Sequence, residues 1–550
     1  GQIRLEGVSM KDNLPHTYKV VFFGKPSDIK DIFGDEDLNS LNPLSTYDIS
    51  YTNTDFLQAF KVGLQSTGVD ATSTANRNVV VPLILLENFY TYNTGSTNQL
   101  HNVNFPVLQP DLKPAIKLKR IIEAIQTQYD ITFNMADEGS IKTFFGSDMF
   151  DELYMWLHRE KSPISAPETD PPTFGVDTAT KSKKLTFADF TYSSGDGDVL
   201  TANKLVVNSG ESYSLRLVVD PSISNNTGEI IIKDKPTNEL LFYKENVSFN
   251  SSINLSVPLM NLTSGNLDSR TYDIEFRINC QSTVNFGALS AGLVITKDGS
   301  TIHNYSNSAF SLGSNIFIQD YIPKMKVLDF LTGLFKMFNL VAYTKKNSST
   351  IYVQTFDDYM TLGTSRDITK YIDISQSAID RPVPFNQVNF KYSDPVTQTS
   401  LRFVNQFSQV FGDLKYSAPE KYDGQAFNQD VPFERSVLIN QQTSAGVTTG
   451  NIIGWWVDND GKTALGKPYI FFNRVVDSSS YTITTLNLTA YNAPSNVSSD
   501  ENHTLNFGAE YDEFNADVNT NSLFKRFYEQ YIVQTFNQNG RIIKVSANLP

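Results

Sequence analysis

Residues Ile316–Met360 read IFIQDYIPKMKVLDFLTGLFKMFNLVAYTKKNSSTIYVQTFDDYM. Pro323 is placed to open a helix, where its fixed φ fits and its missing N–H costs nothing. Met325, Val327, Leu328, Leu331, Leu334, Phe335 and Phe338 then follow helical spacing, and Phe330 and Met337 widen the apolar face. Asn339 is a natural left-handed stop, because a short polar side chain tolerates that conformation. The pattern next predicts a strand over 340–343, a turn through 345–349, and a return carrying Ile351, Val353 and Thr355. A helix this apolar must lie buried against a sheet.

An upstream stretch matches it. Pro114 is placed to open a helix carrying Ile116, Leu118, Ile121, Ile122, Ile125 and Tyr129, with strand-like 131–133 behind it. At an offset of 209 residues, Pro114 falls on Pro323, Lys117 on Lys326, Ile121 on Phe330 and Ile122 on Leu331. Ala124 falls on Gly333, Ile125 on Leu334, Tyr129 on Phe338 and Asp130 on Asn339. Only the Pro and Lys pairs are identical, and any two amphipathic helices can be slid into apolar register. The shared proline start, polar stop and following strand nevertheless point to a duplicated domain.

The rest of the chain arranges itself around this pair. At 550 residues it is too long for one core and calls for about three domains. Residues 1–159 open with a predicted hairpin: Ile3, Leu5 and Val8 lead into the turn at 11–15, and Tyr18, Val20 and Phe22 return. Short helical pieces are expected near 27–32 and 37–41, strands at 79–86 and 87–92, and a second helix over 148–158. Residues 160–180 carry Pro163, Pro167, Pro171 and Pro172 and form a linker by composition. From 181 to 312 helical periodicity vanishes. Tyr213, Leu215, Leu217 and Val219 alternate, as do Tyr272, Ile274, Phe276, Ile278 and Cys280, which predicts an antiparallel β-sandwich.

Residues 313–550 continue as mostly β. Strands are expected at 388–392 and 401–404 around Ser393-Asp394-Pro395, and at 455–457 and 469–472 around Asp458-Asn459-Asp460-Gly461. A buried helix is expected over 521–536, with Phe524, Phe527, Tyr528, Tyr531 and Thr535 on one stripe, and Asn539-Gly540 turns into a final strand. The expected class is therefore mainly β with a few buried helices, an α+β chain.

Composition limits the function classes. A 40% hydrophobic, 12% aromatic content with 26 Tyr and 38 Phe supplies packed cores and favours β structure with many turns. A net charge of −14 argues against a protein that grips nucleic-acid phosphates, which needs clustered Lys and Arg. It is compatible with an acidic conduit that DNA slides past. The longest apolar run, 79–86, is broken by Pro82, so no membrane span is expected. No signal peptide is visible, and strand-like patterns at both ends suggest a segment of a longer polypeptide. One cysteine rules out an internal disulfide framework; Cys280 falls on the apolar alternation of its strand and reads as a small buried hydrophobe.

A search for catalytic constellations returns none. His16, His101, His158, His303 and His503 are far apart and lack partners at metal-ligand spacing. No phosphate loop, nucleophile elbow or HExxH occurs. Asp458-Asn459-Asp460-Gly461 and Gly195-Asp196-Gly197-Asp198 read as hairpin turns, and Asp35-Glu36-Asp37 as helix-dipole partners. Recurring sequons such as Asn246-Val247-Ser248 and Asn261-Leu262-Thr263 follow from an Asn/Ser/Thr-rich composition. With 59 acidic residues a carboxylate pair can always be nominated, but nothing singles out two. The expected catalytic, cofactor and metal residues are therefore none, and the expected chain is not an enzyme.

Five stretches together resemble the tail hub, or baseplate hub, proteins of tailed bacteriophages, particularly those infecting Bacteroidota. They are 5–13 with 18–24; 329–331 with 337–340; Val388-Asn389-Phe390-Lys391-Tyr392; 522–528 with Tyr531-Ile532; and Arg541-Ile542-Ile543-Lys544-Val545 with Leu549-Pro550. They cover both outer units but not 181–312. The resemblance implies two related β-barrel-like hub domains, 1–159 and 313–550, flanking the sandwich as an outward insertion. It also implies self-association as a homotrimeric ring of pseudo-sixfold symmetry, with tail tube and tip or fibre proteins as partners and DNA passing through the lumen without specific binding. The location implied is the virion tail, assembled in the bacterial cytoplasm. A secreted or surface glycan-binding or glycan-cleaving bacterial protein, with the sandwich as binding module, is the alternative.

Overall fold

The computed structural model describes residues 2–11, 14–23, 32–50, 53–66, 69–70, 73, 76–85, 112–157, 180–207, 213–219, 227–234, 239–248, 253–259, 268–270, 272–279, 284–312, 315–345, 348–380, 385–417, 424–442, 448–460, 464, 466–477, 490–500, 503–508, 510–511, 516–517, 521–535 and 540–547. The elements that organise them begin with β1 (Gln2–Lys11), β2 (Leu14–Phe23), β3 (Ala115–Lys117), α1 (Leu118–Tyr129), β4 (Thr132–Phe133) and β5 (Leu153–Trp156). They continue with α2 (Val327–Phe338), β6 (Leu340–Thr344), β7 (Thr350–Thr355), β8 (Ile372–Asp380), α3 (Gln398–Phe407), β9 (Ile470–Asp477) and β10 (Ile542–Ala547). The class is mainly β, with several antiparallel sheets and few helices.

The two helices read from the sequence occur, and their bounds agree residue for residue at the 209 offset. Each is twelve residues long, Leu118–Tyr129 and Val327–Phe338. Each begins after an extended lysine, Lys117 or Lys326, whose side chain makes no cap. Each ends on a left-handed residue, Asp130 at φ 51° and Asn339 at φ 49°, whose N–H closes on the carbonyl of Gln126 or Phe335. All five residues buried on α1, namely Leu118, Ile121, Ile122, Ala124 and Ile125, fall on residues buried on α2. The following strands coincide too, since Thr132 and Phe133 fall on Val341 and Ala342 within β6.

Neither proline opens its helix. Three residues of β3 separate Pro114 from α1, because β3 pairs on both sides, Ala115 and Ile116 with Val80 and Val79, and Ala115–Lys117 with Trp156–Tyr154. In the second copy, Lys326 bridges Asp37, and Leu38 N–H donates to the Met325 carbonyl at 2.8 Å. Sheet pairing outcompetes the helical start at both sites.

Among the described residues no sheet closes into a barrel. A seven-stranded sheet runs 490–495, β9, β5, β3, 79–80, 64–66, 69–70. Strands of the N-terminal segment thus complete a sheet with strands of the C-terminal segment instead of closing on themselves. The core follows the same rule: Phe60, Ile121 and Leu153 belong to one buried cluster with Phe330, Phe390, Phe472 and Phe527.

Two expected elements change type and a third divides. The helix expected over 148–158 stops after one turn, Asp148–Asp151, whose N-cap Ser147 hydroxyl accepts from Phe150 N–H at 3.3 Å. Tyr154 and Trp156 then lie in β5, pinned between β3 and β9. Residues 401–404 are not a strand but lie within α3; the Thr397 hydroxyl caps it from Ser400 N–H at 3.4 Å, and Phe403 and Phe407 pack as an i,i+4 pair. The 79–86 run splits around Pro82 into 79–80 and 84–85, which join different sheets. The helix over 521–536 is present, but its first turn, Phe524–Tyr528, is π-helical, ahead of Glu529–Thr535. The pieces expected at 27–31 and 87–92, the linker 160–179 and Cys280 lie outside the described residues.

Between the outer segments, 181–312 forms two main antiparallel sheets. One has the order 180–185, 272–279, 227–234, 239–248; the other 190–195, 301–307, 289–297, 213–219, 253–259. Tyr213, Leu215 and Leu217 are buried while Arg216 is exposed, as period-two alternation requires of a sheet with one covered face.

Candidate functional site

Where the outer segments meet, polar groups act as fasteners. Lys117 is fully buried at the end of β3, and its Nζ lies 2.8 Å from Asp151 Oδ2; Lys119 reaches Asp151 Oδ1 at 3.3 Å. Burial pushes the Lys117 ammonium pKa down, and the bond to Asp151 opposes that. Lys326, its counterpart at offset 209, is half exposed and pairs with Asp35 at 2.6 Å. Asn492 donates from Nδ2 to the carbonyls of Ala59 and Phe60, both at 2.9 Å, fastening strand 490–495 to the helix Asn53–Lys61. Asn339 Nδ2 donates to the Phe527 carbonyl at 2.7 Å, and the Tyr528 hydroxyl to the Lys336 carbonyl, so the π-turn is bound to the end of α2.

Two clefts open on this seam and share Asp148 and Met149. The larger, about 930 Å³, is lined by Arg77, Asp151, Glu152, Arg474, Asp500 and His503 among others. The smaller, about 520 Å³, is lined by Asp137, Lys142, Asp358, Arg526 and Phe527 with Met135 and Phe144. Most of their acids are engaged. Glu152 accepts from Ser499 N–H at 2.9 Å and from the Ser499 hydroxyl, and Asp358 accepts from the Thr355 hydroxyl at 2.6 Å. Asp137 accepts from Lys142 at 2.6 Å and from Thr143 N–H at 3.0 Å, which hold its carboxyl below the usual range.

Ser498, Asp500 and His503 gather in the larger cleft, a trio that spacing alone did not single out. The Ser498 hydroxyl donates to Asp500 and accepts from the His503 main-chain N–H at 3.0 Å. The imidazole Nε2 sits 4.0 Å from Asp500 Oδ2 and makes no bond to that hydroxyl. Burial, then the Arg526 charge, lowers the His503 pKa. This geometry shapes a loop; it does not place a base on a nucleophile.

A second polar cluster lies deeper. Arg435, 2% exposed, donates to the Ile470 carbonyl at 2.7 Å, to Asn506 Oδ1 at 3.4 Å and to Asn496 Oδ1, with the Tyr392 and Tyr469 rings 5.8 and 5.7 Å away. Beside it Glu434 is 0% exposed, and its carboxyl accepts from Val396 N–H at 3.4 Å and Lys467 N–H at 3.1 Å. Burial pushes its pKa up to about 7. Asp413, which accepts from Tyr392 N–H at 2.8 Å, is also pushed up to about 7, by burial against the opposing effect of that bond. The signal in the sequence is Glu434-Arg435 set between Pro432-Phe433 and Val437-Leu438, two adjacent charges inside an apolar run.

The third feature is on the surface. β8 and β10 form a two-stranded ribbon. Ile379 faces Ile543 across it, and these are 68% and 66% exposed; Ile542 is 47% and Val545 40% exposed.

The residues singled out in the sequence scatter. His303 is buried on the five-stranded sheet of 181–312, with Nδ1 2.8 Å from the Gly197 carbonyl. Asp458 Oδ1 accepts from Asp460 N–H at 2.9 Å, an Asx turn. All three tryptophans are interior or half-buried: Trp156 and Trp456 pack at 5.0 Å and Trp455 lies against the core. Among the described residues no group of three or more His, Cys, Asp or Glu is arranged to hold a metal, and no helix is long and apolar enough to cross a membrane. His16, His101 and His158 lie where no side chain is described.

No protein-family model and no curated protein matches the chain. Among solved structures it is similar to "Structure of infectious bursal disease virus Gx strain", at 13% identity over 44% of this chain and 50% of that one, with a TM-score of 0.11. The Gt strain structure gives 14% identity over 45% of this chain and 55% of that one, also with a TM-score of 0.11. The chain thus spans about half the length of these structures, and a TM-score this low defines no shared fold.

Proposed function

We propose that this chain is a structural virion protein that forms the tail hub of a tailed phage, adapting the tail tube to the tip or fibres around a DNA channel. In this reading it is a scaffold and not a catalyst, it assembles as a homotrimer, and it resides in the tail. The observation that carries the proposal is the repeated helix unit: two twelve-residue helices with the same bounds and left-handed stops at one offset, every buried position of the first matched by a buried position of the second. The resemblance drawn from the sequence calls for two related units flanking an insertion. The fused core supports a rigid load-bearing body, and the net charge of −14 suits a lumen that DNA must pass without adhering.

One part of the expectation needs correcting. A pseudo-sixfold relation turns an element by 60°, so two equivalent strands can differ in direction by no more than that. β4 runs parallel to β7, and β6, its equivalent, runs antiparallel to β7 on the other side. Even allowing roughly 25° of twist per neighbour, the two equivalents point in opposed senses. The ring proposed here is a threefold of whole chains, to which this repeat adds no sixfold.

Single-particle imaging of the purified chain, alone and with purified tail tubes, tests the reading. The expected result is a threefold ring with a central channel and three peripheral lobes from 181–312. Monomers that fail to join tail tubes would overturn it.

A further inference from the structure

Three side chains that line the larger seam cleft carry polar atoms that are shut off from water and have no partner: Arg77 Nε, Asn473 Oδ1 and His503 Nδ1. A buried polar atom without a hydrogen bond is costly, and folded proteins keep few of them. The surrounding network fixes the Asn473 orphan. Asn492 commits its Nδ2 to the Ala59 and Phe60 carbonyls, so only its Oδ1 is left to face Asn473, and Asn473 must turn its own Nδ2 toward it, at 2.8 Å. The atom left over is therefore the Asn473 oxygen, an acceptor. Arg77 is seated as well. Its carbonyl accepts from the Tyr154 hydroxyl, and its stem lies over Gly63, where a Cβ would sit 2.9 Å from Arg77 Cγ.

Charge and shape select the ligand. Arg77, Arg474 and the two lysines on Asp151 balance Asp148, Asp151, Glu152 and Asp500, so the charges in the cleft wall and just beneath it cancel. An anion would answer Arg77 and leave the Asn473 oxygen unpaired; a cation would do the reverse. A hydroxyl both donates and accepts, so neighbouring hydroxyls on one neutral molecule answer both. A peptide fits less well, because Asn473 has only its oxygen to offer and cannot close a two-bond pair with a main-chain amide. Val475 lies two residues beyond Asn473 on β9 and so shares its face. It is 38% exposed, and with Met149 it gives the cleft an apolar wall for ring C–H groups. At about 930 Å³ the cleft falls in the range of small-ligand sites, roughly 300–1,000 Å³.

We propose that the larger seam cleft binds a short neutral oligosaccharide, whose hydroxyls accept from Arg77 and donate to Asn473 while a sugar ring lies on Val475. Small turns of the Arg77 and His503 side chains bring their recessed nitrogens to the ligand. The site goes beyond the hub reading and does not rest on it. Its lining comes wholly from the outer segments, apart from the 181–312 sheets.

The test is titration calorimetry of the full chain with maltotriose, cellotriose and triacetylchitotriose, beside inorganic phosphate and triglycine. At least one trisaccharide should bind, and phosphate and triglycine should not. Arg77→Met removes the donors while keeping the stem and the carbonyl bond to Tyr154; it should weaken binding at least tenfold with an unchanged melting temperature. Val475→Glu, at an exposed position, should do the same by setting a charge beneath the ring, and it decides the matter if Arg77→Met melts early. No binding of any trisaccharide at millimolar concentration would overturn the proposal and assign the orphan atoms to ordered water. Binding that survives both substitutions would overturn it by placing the sugar elsewhere, and binding of phosphate or triglycine alone would overturn the choice of ligand. None of these results bears on the ring, which imaging tests separately.

Discussion

Replacing Glu434 with glutamine should reverse sign with pH. The wild-type carboxyl is 0% exposed, faces two main-chain N–H groups, and has its pKa raised from 4.5 to about 7 by burial. A carboxyl whose folded pKa is raised contributes stability that is fully present below the unfolded value of 4.5 and is lost as pH rises through about 7. At 1.36 kcal/mol per unit, that loss is about 3 kcal/mol. Glutamine carries no charge but offers one acceptor where the carboxyl offers two. Its oxygen should keep Lys467 N–H, the shorter bond, and forfeit Val396 N–H at a cost of about 1 kcal/mol. At pH 4.5 the variant should therefore be less stable by about 1 kcal/mol, and at pH 9 more stable by about 2 kcal/mol. For a cooperative unit of roughly 400 residues, the melting temperature difference should swing by about 4 °C between those pH values. Scanning calorimetry of both proteins from pH 4.5 to 9 measures it. Parallel curves would refute the reasoning, because they would mean that Glu434 ionises in the fold as it does in water.

Two further predictions use the repeat as its own control. Lys117→Ala should cost about 2–4 kcal/mol because it strips a fully buried ammonium from Asp151, while Lys326→Ala, at the matching exposed site, should cost clearly less; equal losses by urea titration would contradict the burial argument. Gly333→Ala should destabilise by about 1–3 kcal/mol despite alanine's better helix propensity. An added Cβ would sit 2.8 Å from the Phe433 ring and 2.9 Å from Pro432 Cδ, whereas the counterpart site already holds Ala124. A stabilised Gly333→Ala protein in the same titration would show that the ring yields freely.

The sequence was most legible where local signals and burial agree. The α2 helix, its Asn339 stop and the β6–β7 hairpin could be read because apolar spacing, a left-handed-tolerant residue and alternation coincide within forty residues. The misreadings share one cause. Leu153-Tyr154-Met155-Trp156 is apolar throughout, which fits a buried helix as well as a strand covered on both faces, and only pairing with β3 and β9 decides it. Residues 401–404 read as a strand because the turn before them looked like a hairpin; the deciding signal was the Thr397 cap. Glu434 and Asp413 could not be placed, since the segments 392–396 and 466–468 that surround them come from elsewhere in the chain.

The two matched helix units differ in how they use the same lysine. In the first, Lys117 sits in the middle of a seven-stranded sheet, so its ammonium is enclosed and needs Asp151, only 34 residues away. In the second, the same lysine makes a single bridge to Asp37, stays in solvent and meets Asp35 from the distant N-terminal segment. One copy therefore buries its fastener within its own unit, and the other uses it to fasten a different segment. Two units that exchange strands, core residues and fasteners in this way cannot separate. In the hub reading proposed above, the body that assembles is then the pair together with its insertion, and a ring of whole chains would show the symmetry of its subunit count and no higher.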